Sequence, residues 1–65
     1  MKTSELLKQL RENGCQMARH GSSHDIWESP LTGKRFPVPR HKTEVKTGTA
    51  EKILRDAGIK GANST

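Results

Sequence analysis

The chain reverses direction in one short segment, His20-Gly21-Ser22-Ser23-His24-Asp25-Ile26-Trp27. Its Gly-Ser-Ser triplet is a strong turn signal and lies between two runs that read as strands. The segment holds two of the three histidines and the only tryptophan. Because histidine titrates near neutral pH, it can both donate and accept a proton under working conditions. The segment therefore predicts a β-hairpin. Its histidines could form a proton-transfer site or a metal site, or they could be polar surface residues without a function.

The length of the hairpin loop decides which side chains face the core, because a slip of one residue turns every side chain to the other face. With a three-residue loop, His20 lies opposite His24 and Met17 lies opposite Trp27. With a two-residue loop, Met17 pairs with Ile26 and His24 turns toward the core. We expect the first register, because it buries Trp27 with Met17 and leaves both histidines on the open face.

Working outward from the hairpin, the apolar periodicity predicts a helix at each end of the chain. The first helix spans about residues 4–13, with Thr3 or Ser4 as its N-cap and Gly14 as its stop. The second helix is capped by Thr47 or Thr49. Its predicted buried positions are Ala50, Ile53, Leu54 and Ala57, and Gly58 ends it.

Three strands are predicted between the helices, over residues 15–20, 24–29 and 34–38. Phe36 and Val38 share one face of the third strand, and Pro37 and Pro39 make it an edge strand because proline lacks a backbone donor. The order α-β-β-β-α predicts an α+β fold with two helices packed on one face of a three-stranded antiparallel sheet. This is the layout of the double-stranded RNA-binding domain. We expect one domain over residues 1–60 and a flexible tail over residues 61–65.

Length and composition restrict the class of protein. A 65-residue chain buries only roughly 60% of its unfolded surface, so a binding partner is expected to add stability. A single cysteine excludes an intramolecular disulfide, which favours a reducing compartment. No apolar run approaches the ~20 residues of a membrane span, and the first residues lack the apolar core of a signal peptide. We therefore expect a cytoplasmic protein with no membrane association.

The positive charge is concentrated in one segment. The formal net charge is +5, and residues 34–46 hold five cationic side chains against Glu44 alone. A basic segment of this kind suits a phosphate backbone or an acidic protein surface, although it can also be a solvated face. The predicted RNA-binding residues are Lys34, Arg35, Arg40, Lys42 and the turn residue Ser22.

RNA cleavage by an internal 2′-hydroxyl requires few groups: a base, an acid and cations on the phosphate. His24 with Arg40, Lys42 or Lys34 nearby would supply them. No carboxylate pair is indicated, since Asp25 and Glu28 point to opposite faces of a strand. A zinc site made of Cys15, His20 and His24 is disfavoured, because their spacing lacks the usual paired pattern. No metal or cofactor is predicted.

Three ordered motifs resemble the HicA family of toxins. Gly21-Ser22-Ser23-His24 is similar to the Gly-Ser-x-His signature of that family, and Val38-Pro39-Arg40-His41 is similar to its second block. The segment from Gly48 to Ile59 resembles the third block, with its Gly-Thr, Ile-Leu and Ala-Gly pairs. The resemblance covers nearly the whole chain.

The resemblance implies an mRNA interferase, the toxin of a toxin–antitoxin pair. HicA toxins share the fold derived above, cleave RNA without a known metal and depend on the histidine of the Gly-Ser-x-His block. The corresponding residue here is His24. The implied partner is a HicB-like antitoxin that covers the site, and the implied substrate is mRNA. His20 is not part of the family pattern.

Two other functions remain open on the sequence alone. A non-catalytic RNA-binding module of the same fold would use the basic segment without His24. A protein-interaction domain would present the basic face to an acidic partner and would have no affinity for RNA. The histidine-bearing turn distinguishes the nuclease from both, whereas the basic segment does not.

Overall fold

A computed structural model describes residues 1–59 of the chain, so the predicted tail at 61–65 lies outside the described residues. The elements follow the predicted order: α1 (Thr3–Glu12), β1 (Gln16–His20), β2 (His24–Glu28), β3 (Arg35–Pro39) and α2 (Thr47–Ala57). The strands form one antiparallel sheet in the order β1-β2-β3. The predicted α+β fold, with the topology of the double-stranded RNA-binding domain, is confirmed. Neither helix is long and apolar enough to span a membrane within the described residues.

The core lies between the helices and one face of the sheet. Its members are apolar side chains from α1, β2, β3, α2 and the loops before β1 and α2: Leu6, Leu10, Cys15, Trp27, Phe36, Val38, Val45, Ala50, Ile53, Leu54 and Ala57. All four positions predicted for α2 are buried, as are Phe36 and Val38 of the edge strand β3. The 3.6-residue and two-residue periods therefore predicted the buried faces correctly.

Strand β1 is an exception to the predicted core. All five of its residues are exposed, and Met17 retains 48% of its accessible surface. Met17 does lie opposite Trp27, as expected, but Trp27 is buried and Met17 is not. The prediction that Met17 joins the core was wrong, because α2 packs against β3 and α1 packs against α2, which leaves β1 uncovered.

The helices end as predicted but begin differently. Gly14 and Gly58 adopt the left-handed conformation, with φ of 84° and 80°. At the end of α2, the Gly58 amide donates to Arg55 and the Ile59 amide donates to Leu54, which is a Schellman motif. The N-cap residues are Lys2 and Lys46, and neither helix has a side-chain cap hydrogen bond. The threonine and serine caps predicted from the sequence are therefore wrong.

The turn between β2 and β3 caps the C-terminal end of α2. The Ser29 hydroxyl is fully buried and donates to the Ala57 carbonyl at 2.5 Å. The Thr32 hydroxyl donates to the Asp56 carbonyl at 2.7 Å. These carbonyls belong to the last turn of α2, where no intrahelical donor is present. Side chains distant in the sequence thus satisfy the end of this helix and hold it against the sheet.

We predict that Ser29→Ala lowers the free energy of unfolding by about 1–3 kcal/mol, because a buried carbonyl loses its donor. Urea denaturation followed by the fluorescence of Trp27 would measure the change. Ser4→Ala is the matched control, since Ser4 is exposed and makes no cap, and it should shift stability by less than about 0.5 kcal/mol. Equal stability of the two variants would contradict the capping role of Ser29.

Candidate functional site

His24 is the first residue of β2 and lies at the hairpin end of the sheet. Its side chain alternates with those of Asp25 and Trp27, so it projects from the face that the helices leave uncovered. His24 is exposed, and its Nδ1 atom lies 3.1 Å from the Ser23 hydroxyl. Within residues 1–59 no hydrogen-bond partner reaches the Nε2 atom. Ser23 thus contacts one ring nitrogen of an exposed histidine, and the other nitrogen has no hydrogen-bond partner among the described residues.

The predicted pairing of His20 with His24 is wrong. The register runs from Met17↔Trp27 to Arg19↔Ile26 and His20↔Asp25, with an irregularity between Met17 and Arg19. One extra residue in β1 places His20 opposite Asp25, so the two histidines project from opposite faces of the sheet. Neither loop length considered from the sequence describes this hairpin, because both assumed a regular ladder.

His20 and Asp25 instead belong to a cluster centred on Arg40. The His20 Nδ1 atom lies 3.0 Å from Asp25 Oδ1, and the Arg40 guanidinium lies 3.3 Å from the same carboxylate oxygen. The guanidinium also contacts the His20 ring and donates to the Ser22 carbonyl. The Arg40 amide donates to the Ser23 carbonyl at 3.3 Å. Arg40 therefore ties the turn before His24 to the end of β3.

The partial burial of this cluster strengthens the ion pair between Asp25 and Arg40. The side chains of Asp25 and Arg40 keep only 15% and 23% of their accessible surface. A charge-assisted hydrogen bond shielded to this degree is stronger than an exposed ion pair. The Arg40 guanidinium contacts Ser22, Asp25 and His20. Arg40 therefore stabilises the turn and also places a positive charge near His24.

Gly21 allows the close approach on which the turn depends. A Cβ atom at this position would lie 2.2 Å from the His24 carbonyl oxygen, which is far inside van der Waals contact. The backbone of any other residue would have to move away from His24. The glycine in the Gly-Ser-x-His motif is thus explained by sterics at the residue that carries the histidine.

The structure does not bring all the predicted site residues together. Ser22, His24 and Arg40 share the hairpin end. Arg35 lies at the other end of the sheet, where it pairs with Glu28, about 13 Å along β2 from His24 at roughly 3.3 Å per residue. Lys34 precedes it and is still farther along.

Lys42 is also separate from the turn. It is exposed on the segment between β3 and α2, which runs beside the chain start through the Lys2↔Glu44 bridge and a hydrogen bond from the Thr3 amide to Thr43. The predicted cations are close together in the sequence, but the fold places them at three separate positions.

Two contacts of the site were missed by the sequence analysis. Ser23 was treated as a variable position of the motif, yet its hydroxyl contacts His24. Asp25 was considered only as a possible partner of Glu28. Its position on the same face as Trp27 was a usable signal, because a carboxylate beside the core requires a cation. Within residues 1–59 no three His, Cys, Asp or Glu side chains are placed to hold a metal ion.

Gly21→Ala should lower the free energy of unfolding by about 1–3 kcal/mol, because the methyl group displaces the His24 backbone. Gly48→Ala makes the same chemical change in α2, where a Cβ atom would meet nothing within 4 Å. That control should be neutral or stabilising by up to about 1 kcal/mol. Denaturation of both variants in urea tests the steric argument, and equal effects would refute it.

Asp25→Ala should cost about 1–3 kcal/mol of stability, because Arg40 loses its partly buried counter-charge. The matched control is Glu28→Ala, which removes the more exposed carboxylate 3.6 Å from Arg35 and should cost less than about 1 kcal/mol. Thermal or urea unfolding measures both. A larger loss for Glu28→Ala would contradict the cluster described here.

The comparison with known families identifies the family of the chain. The family model described as the HicA toxin of bacterial toxin-antitoxin systems matches residues 3–59, which include both helices and all three strands. No curated protein matches the chain. Since the match covers most of the 65 residues, the chain belongs to the HicA family of toxins, the toxic partners in bacterial toxin–antitoxin systems.

Proposed function

We propose that this toxin is an endoribonuclease that cleaves mRNA in the cytoplasm, with His24 transferring a proton at its Nε2 atom. One observation carries the proposal: His24 is exposed on the uncovered face, and Ser23 contacts its Nδ1 atom while Nε2 makes no hydrogen bond within residues 1–59. A general acid or base must present a ring nitrogen to the substrate in this manner. Membership of the HicA family, which is known for RNase-like toxins, supports the same reaction class.

The proposed reaction is attack by an internal 2′-hydroxyl of the RNA on the adjacent phosphorus. The hydroxyl proton goes to a base, the new bond joins the 2′-oxygen to phosphorus, and the bond from phosphorus to the 5′-oxygen breaks. The leaving oxygen takes up a proton from an acid. His24 performs one of these two transfers. The products are a 2′,3′-cyclic phosphate and a 5′-hydroxyl, and DNA is not cleaved because it lacks the attacking group.

The basic side chains would hold the RNA along the sheet. Lys34 and Arg35 are exposed and lie well away from His24 along the sheet. They therefore suit phosphates that flank the cleaved bond rather than the phosphate that reacts. Lys42 and the backbone and hydroxyl of Ser22 are further proposed contacts. Arg40 would add charge next to the turn, since only part of its guanidinium is engaged by Asp25, His20 and Ser22.

The antitoxin partner is proposed to be HicB-like and to cover the face that carries His24. The exposed sheet face and the net charge of +5 favour a partner with acidic side chains. Such a partner would block RNA and add the buried area that a small chain lacks.

A non-catalytic RNA-binding module is the second candidate. It is favoured by one observation, the separation of Lys34 and Arg35 from His24. Cations that far from the histidine can bind RNA phosphates without taking part in a reaction there. It predicts salt-sensitive RNA binding with no cleavage.

His24→Ala and His24→Gln should reduce cleavage of RNA about 10²–10⁴-fold, because a positioned proton-transfer group is lost. The assay is expression of each variant in a bacterium, with growth and total mRNA followed, together with cleavage by the purified protein. Arg55→Ala is the control, since this exposed residue of α2 lies on the other side of the sheet from His24 and should leave cleavage near the wild-type rate. A His24→Ala variant that still degrades mRNA would refute the assignment, and intact RNA with the wild type would favour the binding module.

A further inference from the structure

Strand β1 contains a bulge that changes which of its side chains face His24. Met17 pairs with Trp27, whereas Arg19 pairs with Ile26, so Ala18 is the inserted residue. Without the bulge, Arg19 would lie opposite Asp25 on the helix side of the sheet. With it, Arg19 shares the uncovered face with Ile26 and His24. The ion pair between His20 and Asp25 on the other face agrees with this register.

Arg19 is consequently a close cationic neighbour of His24 on that face. Side chains diagonal to each other across an antiparallel pair lie roughly 7–8 Å apart, which is within the reach of an arginine. Arg35 lies one row farther from His24 than Arg19 does, and Arg40 is joined to the cluster on the opposite face. The bulge thus supplies a cation beside His24 that the basic segment over residues 34–46 does not.

The charge of Arg19 is not balanced within the described part of the chain. Among residues 1–59, the ion pairs involving arginine join Arg35 to Glu28 and Arg40 to Asp25, and no carboxylate lies within ion-pair distance of Arg19. Arg19 is exposed at the edge of the sheet. A guanidinium in this position can bind two oxygens of a phosphodiester in bidentate fashion.

We infer that Arg19 is a catalytic residue that binds the phosphate on which His24 acts. This inference rests on the proposed nuclease function. In the attack by the 2′-hydroxyl, negative charge increases on the non-bridging oxygens of the phosphate, and the guanidinium stabilises it. The β1 bulge then has a functional consequence, because a regular strand would direct this arginine away from His24.

The test compares Arg19→Ala with Arg55→Ala. Both remove one arginine, but Arg55 is an exposed residue of α2 on the opposite side of the sheet. Arg19→Ala should lower kcat for RNA cleavage about 10²-fold, whereas Arg55→Ala should cleave at the wild-type rate. Arg19→Lys keeps the charge without the fork and should recover part of the loss. Equal rates for Arg19→Ala and Arg55→Ala would overturn the inference, provided that both show the wild-type urea midpoint.

A binding measurement separates this inference from the nuclease proposal. In the His24→Ala background, the affinity for a single-stranded RNA is measured over a range of salt concentrations. Loss of one phosphate contact should reduce the slope of log K against log salt by about 0.7. Arg19→Ala should show this reduction and Arg55→Ala should not. An unchanged slope would refute the phosphate contact even if the wild type cleaves RNA, and a reduced slope would support it even if no cleavage occurs.

Discussion

Burial of a single sheet face beneath two short helices is the constraint on which this structure depends. Helices of 10 and 11 residues cover β2 and β3, and the core side chains Leu6, Trp27 and Phe36 meet there. Within residues 1–59 no further helix or strand lies over the opposite face or over β1. The face left uncovered by the two helices is the one that presents His24.

The exposure of β1 also explains how the sheet accommodates a bulge near the candidate site. In a strand covered by helices, an inserted residue would move core side chains out of register and leave gaps or clashes. Every residue of β1 is exposed, so the insertion at Ala18 disturbs no packing. The hairpin can thereby place His20 with Asp25 on one face and Arg19 with His24 on the other. Edge strands commonly carry such bulges, which also discourage pairing with other chains.

The two ends of the sheet are each fixed by a contact between residues distant in the sequence. At one end, Arg40 joins the turn before His24 to β3 through Asp25 and the Ser22 carbonyl. At the other, Ser29 and Thr32 donate to the last carbonyls of α2. In a small domain these few polar bonds matter, because the hydrophobic core is limited in area.

The sequence by itself determined the element order, the buried faces of α2 and β3, and the histidine chosen as the candidate. Apolar spacing located Ile53, Leu54 and Phe36 in the core, because periodicity is a local property. The resemblance of the Gly21–His24 motif to the HicA signature indicated His24 as the candidate. The tertiary structure alone decided the bulge in β1, the exposure of Met17 and the partners of Asp25 and Arg40. Those features depend on which strands the helices cover and on which distant side chains meet. A local sequence pattern predicts neither the covered strands nor the contacts between distant side chains, because both result from the packing of the elements against one another.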